Sequence, residues 1–372
     1  MGQPERRPLF RRAAVIGVGL IGGSLALAMK ERGLAGLVAG HDHDPAAMRE
    51  ALALGIVDAA ADSPVAAAAG ADLVVVATPV GETVDVLRSV APHLETGTLV
   101  TDVGSTKAAT VEGAARLVPG GWFVGGHPMA GSEREGPAAA DPYLFENAYY
   151  LLTPTRETNP AALAAARNLI RALGARAVLV DPAEHDRLVA LISHLPHLVA
   201  AALVNTAAAG EDALPLAAGG FRDTTRIASG PPAVWRDIFL SNRAAVGEAL
   251  TVFREQLDRL ARAVAEGDGD TITEMLTRAR TIRAGLPAHG RDYLPLQHEV
   301  LVTVADRPGS IALVSDILYQ AGLNITDIEI MRVREDGGGT MRLGLESREA
   351  LEQAAALLQS RGIRVRKARN GG

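Results

Sequence analysis

The residues best suited to chemistry are one histidine and the polar groups around it. His127 lies in Gly125-Gly126-His127-Pro128-Met129-Ala130-Gly131-Ser132-Glu133, and Glu133 adds a carboxylate six positions on. An imidazole can take or give a proton near neutral pH. The glycines and proline predict a turn-rich loop, the kind of segment that displays reacting groups. Ser105, in Asp102-Val103-Gly104-Ser105-Thr106-Lys107, is a second polar group. Three of the nine histidines, His185, His194 and His197, then fall close together. Gly219-Gly220-Phe221-Arg222-Asp223-Thr224-Thr225-Arg226-Ile227-Ala228 brings two arginines. Their planar forks match carboxylates, so one could anchor an acidic substrate; the alternative is a surface ion pair with Asp223.

Positioning these groups requires a scaffold, and its first part is legible. Ala13-Ala14-Val15-Ile16 reads as a strand running into Gly17-Val18-Gly19-Leu20-Ile21-Gly22, with a helical pattern from Leu25 to Arg32. The first glycine permits a tight turn and the second lets a pyrophosphate approach the backbone. The third lets the helix pack against the strand. Gly17, Gly19, Leu20, Ile21 and Gly22 are therefore expected at a dinucleotide phosphate site. The next strand, Leu37 to His41, ends at Asp42, twenty residues beyond Gly22. A carboxylate there accepts from both ribose hydroxyls and repels a 2′-phosphate, which favours NAD over NADP. The competing reading makes Asp42 a helix cap.

Further strands are expected at Leu73–Ala77, Gly97–Val103, Tyr149–Leu152 and Ala177–Val180, alternating with helices. Ligands of such doubly wound parallel sheets bind beyond the strands' carboxyl ends. Thr78-Pro79 would then flank the nicotinamide, and Ser105 and His127 would face one crevice. The expected layout is a leader at 1–12, a Rossmann-type α/β domain at 13–180, a helical domain at 181–284 and a linker at 285–297.

In the helical part, His194 and His197 share a helix face and His185 does not, unless Pro196 breaks the helix and lets all three converge. They could equally be core histidines bonded to carbonyls. A zinc pair of His194 and His197 lacks a clear third ligand, so no metal is expected. Leu188–Gly210 carries no Asp, Glu, Lys or Arg, but its histidines, proline and asparagine argue for a buried helix rather than a membrane span. Trp235 and Phe239 open an amphipathic region to about Glu266, whose apolar surface suggests pairing with a second copy.

The 372 residues imply more than one domain. Net charge of −6 with both signs interspersed argues against nucleic-acid binding, and the absence of cysteine removes disulfides and thiolate chemistry. No signal-peptide pattern precedes the first strand, which points to a cytoplasmic protein. From 298 to 372, strands at Glu299–Val304, Ile325–Met331, Thr340–Leu345 and Arg364–Arg366 alternate with two helices, giving a ferredoxin-like βαββαβ unit.

These strings resemble the prephenate/arogenate dehydrogenases of tyrosine biosynthesis. The resemblance rests on the glycine fingerprint, Asp102–Lys107, Gly126–Glu133, Ser193-His194-Leu195-Pro196-His197, Gly220–Ala228 and Trp235–Phe239, in the family's order from 13 to about 285. It implies oxidative decarboxylation of prephenate with NAD⁺. His127 would be the base and Ser105 its partner at the substrate hydroxyl. Arg226 would hold a carboxylate, His197 would contribute to side-chain binding, and Glu133 with His185 would form a polar network that gates or tunes the pocket, with His194 nearby. The tail resembles an ACT domain, with Asp306-Arg307-Pro308-Gly309 at its βα turn. That implies L-tyrosine as effector, bound between paired copies near Asp306, Gly309, Ser310, Asn324 and Ile325; the alternative is a pure oligomerisation unit. A rival enzyme class, the β-hydroxyacid dehydrogenases, usually relies on a lysine early in the second domain, and Pro182–Gly210 has none.

Overall fold

The computed structural model describes residues 7–131, 134–210, 214–285, 298–305, 307–331 and 338–367. The chain divides into two compact units, Met1–Arg280 and Thr281–Gly372.

The first unit is built on an eight-stranded sheet. Its strands are β1 (Ala13–Ile16), β2 (Val38–His41), β3 (Ala59–Ala60), β4 (Leu73–Val76), β5 (Leu99–Asp102), β6 (Phe123–Pro128), β7 (Tyr149–Thr153) and β8 (Arg176–Leu179). Their spatial order is β3-β2-β1-β4-β5-β6-β7-β8. The order reverses between β1 and β4, which opens a crevice beyond their carboxyl ends. β1 and β4 are buried at every position, as expected where helices cover both faces and strands read as unbroken apolar runs. Burying each Val, Leu or Ile there contributes about 1.5–3 kcal/mol.

Three expectations need correction. The sheet is not wholly parallel, because β6 and β7 pair antiparallel with His127 opposite Leu151. Gly125-Gly126-His127-Pro128 is strand rather than loop. A Cβ on Gly125 would lie 2.3 Å from Thr153 Oγ1, and one on Gly126 would lie 2.6 Å from the Asp102 carbonyl oxygen. The glycines thus serve close packing, not a turn. Nor is all of 1–12 a free leader: Phe10 is buried, exchanges backbone hydrogen bonds with Leu34 and Gly36, and is followed by an Arg11–Asp72 ion pair.

Beyond β8 the unit is helical. Helix Pro182–Val189 passes through one wider π-helical turn, Ala190–His194, into helix Leu195–Ala208. Pro196 is the second residue of the latter, straight after the widened turn, and brings no amide donor of its own. Helices Pro232–Ser241 and Arg243–Glu266 follow, separated by Asn242. The apolar run is less buried than expected. Pro182–Ala208 is long and apolar enough to cross a membrane, and only 28% of its most apolar window is buried within the chain. Leu188, Leu191, Ile192 and Leu203 stay exposed.

The second unit contains β9 (Glu299–Ala305), helix Ser310–Gln320, β10 (Ile325–Met331), β11 (Gly338–Leu345), helix Arg348–Ser360 and β12 (Arg364–Lys367). The sheet is antiparallel in order β10-β11-β9-β12. This is the βαββαβ arrangement, with Val300, Val302, Leu318, Leu343 and Leu358 in its core. Of the expected linker, only Gly285 lies within the described residues.

Candidate active site

The crevice begins at the glycine loop. Gly17 has φ +94°, and a Cβ on it would come within 2.5 Å of the Ala77 carbonyl oxygen at the end of β4. A Cβ on Gly22 would lie 2.0 Å from the Gly17 carbonyl oxygen, whereas Gly19 faces open space. Gly19 caps helix Leu20–Glu31 without a side-chain hydrogen bond, so the first amides, Leu20 and Ile21 among them, point toward the open side. That is a cradle for a pyrophosphate. Asp42 follows β2, with Oδ2 accepting from the Val18 amide at 2.9 Å and Oδ1 from the Asp44 amide at 3.0 Å. The cap of the next helix is Asp44, not Asp42. Beside Asp42 a cavity of about 590 Å³, lined by His41, Met48 and Ala61 among others, suits an adenosine. Thr78 Oγ1, past β4, is buried without a hydrogen-bond partner among the described residues; Pro79 next to it is exposed.

His127 lies near the carboxyl end of β6 and is partly buried. Its Nδ1 is 2.9 Å from Nε2 of His185, which is fully buried. His185 Nδ1 lies 2.8 Å from Asp186 Oδ1. The Asp186 carboxylate also accepts from the Lys107 amide at 2.7 Å and the Ala108 amide at 2.9 Å, at the start of helix Ala108–Leu117. Asn242 Nδ2 donates to the Asp186 carbonyl at 2.8 Å and lies 3.2 Å from His194 Nδ1. His197 stacks on Trp235 with ring centroids 3.6 Å apart, and Trp235 meets His194 edge-on. His194 Nε2 and His197 Nδ1 are buried with no hydrogen-bond partner among the described residues. The π-helical turn thus brings together three histidines that a straight helix would not.

Beneath them is a buried ion pair. Lys107 and Asp102 are both fully enclosed, and Lys107 Nζ donates to the Asp102 carboxylate and, at 2.8 Å, to the Gly126 carbonyl. Asp102 accepts from the Gly104 and Gly126 amides at 2.9 and 3.1 Å. These bonds lock the end of β5 to the strand that carries His127.

Family models of prephenate dehydrogenase match most of the chain, the nucleotide-binding domain at residues 25–179 and the dimerization domain at 181–278. The chain is 39% identical over 351 residues to the prephenate dehydrogenase of Bacillus subtilis, covering 93% of this chain and 95% of that one. It belongs to the prephenate dehydrogenase family. The crystal structure of prephenate dehydrogenase from A. aeolicus, in complex with hydroxyphenyl propionate and NAD⁺, is similar with a TM-score of 0.70 and 32% identity. The match covers 74% of this chain and 97% of that one. Arogenate dehydrogenase from Synechocystis gives a TM-score of 0.65 and 35% identity, covering 73% and 99%. This protein is an NAD-dependent dehydrogenase, and the glycine cradle and Asp42 fit that cofactor.

In this dehydrogenase the electrostatics hold His127, His194 and His197 neutral. Burial, reinforced by His185, Lys107 and His194, pushes His127 well below the usual histidine value. Burial lowers His194 to about 4, although Asp186 opposes it, and lowers His197 as well. Burial also lowers Lys107, against the pull of Asp102. A neutral imidazole can accept a proton and an imidazolium cannot.

The other expected residues each have their own setting. Ser105, in the loop after β5, makes no hydrogen bond to another described residue, and the partner of His127 is His185. His185 is fully enclosed. Arg226 opens a short 3-10 turn, Arg226–Ser229, that packs against helix Leu195–Ala208, and it is exposed. At Gly230, which follows, a Cβ would lie 2.5 Å from Trp235 and 3.3 Å from His197, so this segment borders the aromatic stack. Glu133 and Asp306 lie outside the described residues. In the second unit, Gly309 has φ +89° and caps helix Ser310–Gln320, and Asn324 donates to Glu346 at 2.7 Å just before Ile325 opens β10. Sequence reasoning missed Lys107, Asp102, Asp186 and Asn242. For Asp186 the signal was its adjacency to His185, and for Lys107 and Asp102 it was the quoted string around Ser105.

Proposed function

We propose that this dehydrogenase oxidises and decarboxylates prephenate to 4-hydroxyphenylpyruvate, releasing CO₂ and NADH. The observation that carries the reading is His127, a neutral imidazole at the carboxyl end of β6, tied on one side to His185 and Asp186. NAD⁺ bound in the glycine cradle supplies the hydride acceptor. His127 takes the proton of the ring C4 hydroxyl as C4 gives up hydride; loss of the ring carboxylate as CO₂ then aromatises the ring, and the proton returns from His127 to the phenol oxygen. Ser105 donates to or accepts from the same hydroxyl. Arg226 pairs with a substrate carboxylate, His194 and His197 offer their unpartnered buried nitrogens to the substrate, and Glu133 completes the polar rim. Little covalent catalysis is needed; orientation and proton removal suffice.

Arogenate, with an amino group in place of the keto group, is the second substrate to test, since the Synechocystis relative is an arogenate dehydrogenase. Steady-state NADH formation with each compound separates the two. Turnover of prephenate at the higher kcat/KM supports the reading, and preference for arogenate reassigns the substrate.

Regulation and assembly belong to the same proposal. The exposed leucines and isoleucine of Pro182–Ala208 are covered by a second copy, giving a homodimer or larger homo-oligomer, and the enzyme is cytoplasmic. The C-terminal unit acts as an ACT domain sensing L-tyrosine. Gly309 and Asn324 flank a helix of 11 residues, about 16 Å long, so Gly309 and Ser310 of one copy would meet Asn324 and Ile325 of another around the ligand. Tyrosine that neither binds the protein nor changes its activity would remove this part.

A further inference from the structure

Asp186 touches neither of the expected reacting groups, yet bonds from both sides of the site converge on it. Three donors face its carboxylate: the Lys107 amide, the Ala108 amide and an imidazole nitrogen of His185. A carboxylate can only accept, so His185 must carry its proton on Nδ1. With that as the only ring proton, Nε2 of His185 is an acceptor and takes a proton from Nδ1 of His127. His127 is left with a bare Nε2.

The second set of bonds runs through the Asp186 backbone. Its carbonyl accepts from Asn242, which fixes that atom of the Asn242 amide as nitrogen. The same nitrogen lies 3.2 Å from His194 Nδ1, which must accept. His194 therefore carries its proton on Nε2, and that N–H is buried with no partner among the described residues. A buried donor left unpaired is costly, and a ligand acceptor would satisfy it.

We propose that Asp186 is a positioning residue that sets two histidines in opposite tautomers, leaving His127 Nε2 as a free acceptor and His194 Nε2–H as a free donor. The carboxylate acts through His185, and the carbonyl acts through Asn242. The site then has one face that removes a proton and another that binds an anionic oxygen. Burial, which keeps His127 and His194 neutral, is what makes the tautomers meaningful. Lys107, with its Asp102 partner, is the other charged group facing His127 and favours the neutral form. The catalytic consequence rests on the base role proposed for His127, but the proton positions do not.

Neutron diffraction from the deuterium-exchanged wild-type protein reads those positions without any turnover. The expected result is deuterium on Nδ1 of His127, on Nδ1 of His185 and on Nε2 of His194, with none on Nε2 of His127. Deuterium on Nε2 of His127 or on Nδ1 of His194 would overturn the assignment. Kinetics supply the second arm. Asp186→Ala should lower kcat by on the order of 10²-fold or more, as loss of the orienting acid does in histidine-based triads, while KM for substrate and NAD stays within about threefold. It should also change the shape of the pH–rate profile, which loss of a helix cap alone would not. An unchanged kcat and profile in a folded variant would overturn the positioning role. Absence of prephenate turnover with the expected deuterium pattern would instead fault the substrate reading.

Discussion

Replacing Lys107 by methionine should be among the most damaging single changes available in the first unit. Lys107 and Asp102 have no solvent exposure, and the lysine also donates to the Gly126 carbonyl. Methionine fills similar space but leaves Asp102 charged, held only by the Gly104 and Gly126 amides. Breaking a buried pair from one side costs about 3–5 kcal/mol. With a urea slope of about 3 kcal/mol per molar for a unit of this size, the unfolding midpoint should fall by roughly 1–1.7 M. Both tryptophans, Trp122 and Trp235, lie in the first unit, so their fluorescence reports its unfolding. Protein concentration must be held fixed, since assembly contributes to stability. The double variant Asp102→Asn, Lys107→Met removes both charges and should regain at least about half of the loss. Loss of the lysine charge should also raise the His127 value, moving the acid limb of kcat/KM to higher pH. A single-variant shift below about 0.3 M, or a double variant worse than the single one, would refute the reasoning.

The histidines make stability depend on pH in a defined window. His127, His194 and His197 all titrate lower in the folded protein than an ordinary histidine. The unfolded chain therefore takes up protons first, and the contribution present above about pH 6.5 is lost as pH falls below it. His194, lowered to about 4, should alone account for about 2 kcal/mol of loss by pH 5; a urea midpoint unchanged between about pH 7.5 and 5 would contradict this. The glycine loop offers a paired test by calorimetry. Gly22→Ala places a Cβ 2.0 Å from a carbonyl oxygen and should lower both Tm and NAD affinity. Gly19→Ala meets nothing within 4 Å, so it should keep Tm and weaken NAD by about tenfold or more, because the pyrophosphate needs that space. Equal NAD affinity in Gly19→Ala would argue against the cradle.

The nucleotide-binding half was legible because its signals are local: a strand, spaced glycines and a helix adjoin in the chain, and Asp42 follows at a fixed distance. The βαββαβ unit was legible for the same reason, through alternating strand and helix periodicity. Gly125 and Gly126 look like turn residues, so the sequence predicts a loop where the structure has the strand that carries His127. Their cause is tertiary, the approach of Thr153 and Asp102. Lys107 was overlooked because lysine is almost never fully buried unless paired, and its partner could not be seen without the fold. Asp186 serves amides 79 and 78 positions away, a contact no local pattern encodes. Convergence of His185, His194 and His197 was left open in the sequence, conditional on a break at Pro196. The structure achieves it with a widened turn just before that proline rather than with a break. The Leu188–Gly210 run was expected to be buried because it is apolar, and much of it faces outward within one copy.

The central claim is that His127 is the base of a prephenate-oxidising, NAD-dependent site. Its most direct test is prephenate-dependent NADH formation by the wild-type enzyme and by His127→Asn, with NAD affinity measured in parallel. The account predicts wild-type turnover and a loss of about 10²–10⁴ in kcat/KM for the variant, at unchanged NAD affinity. A wild-type protein inert toward prephenate, or a variant within about tenfold of wild type, would contradict it.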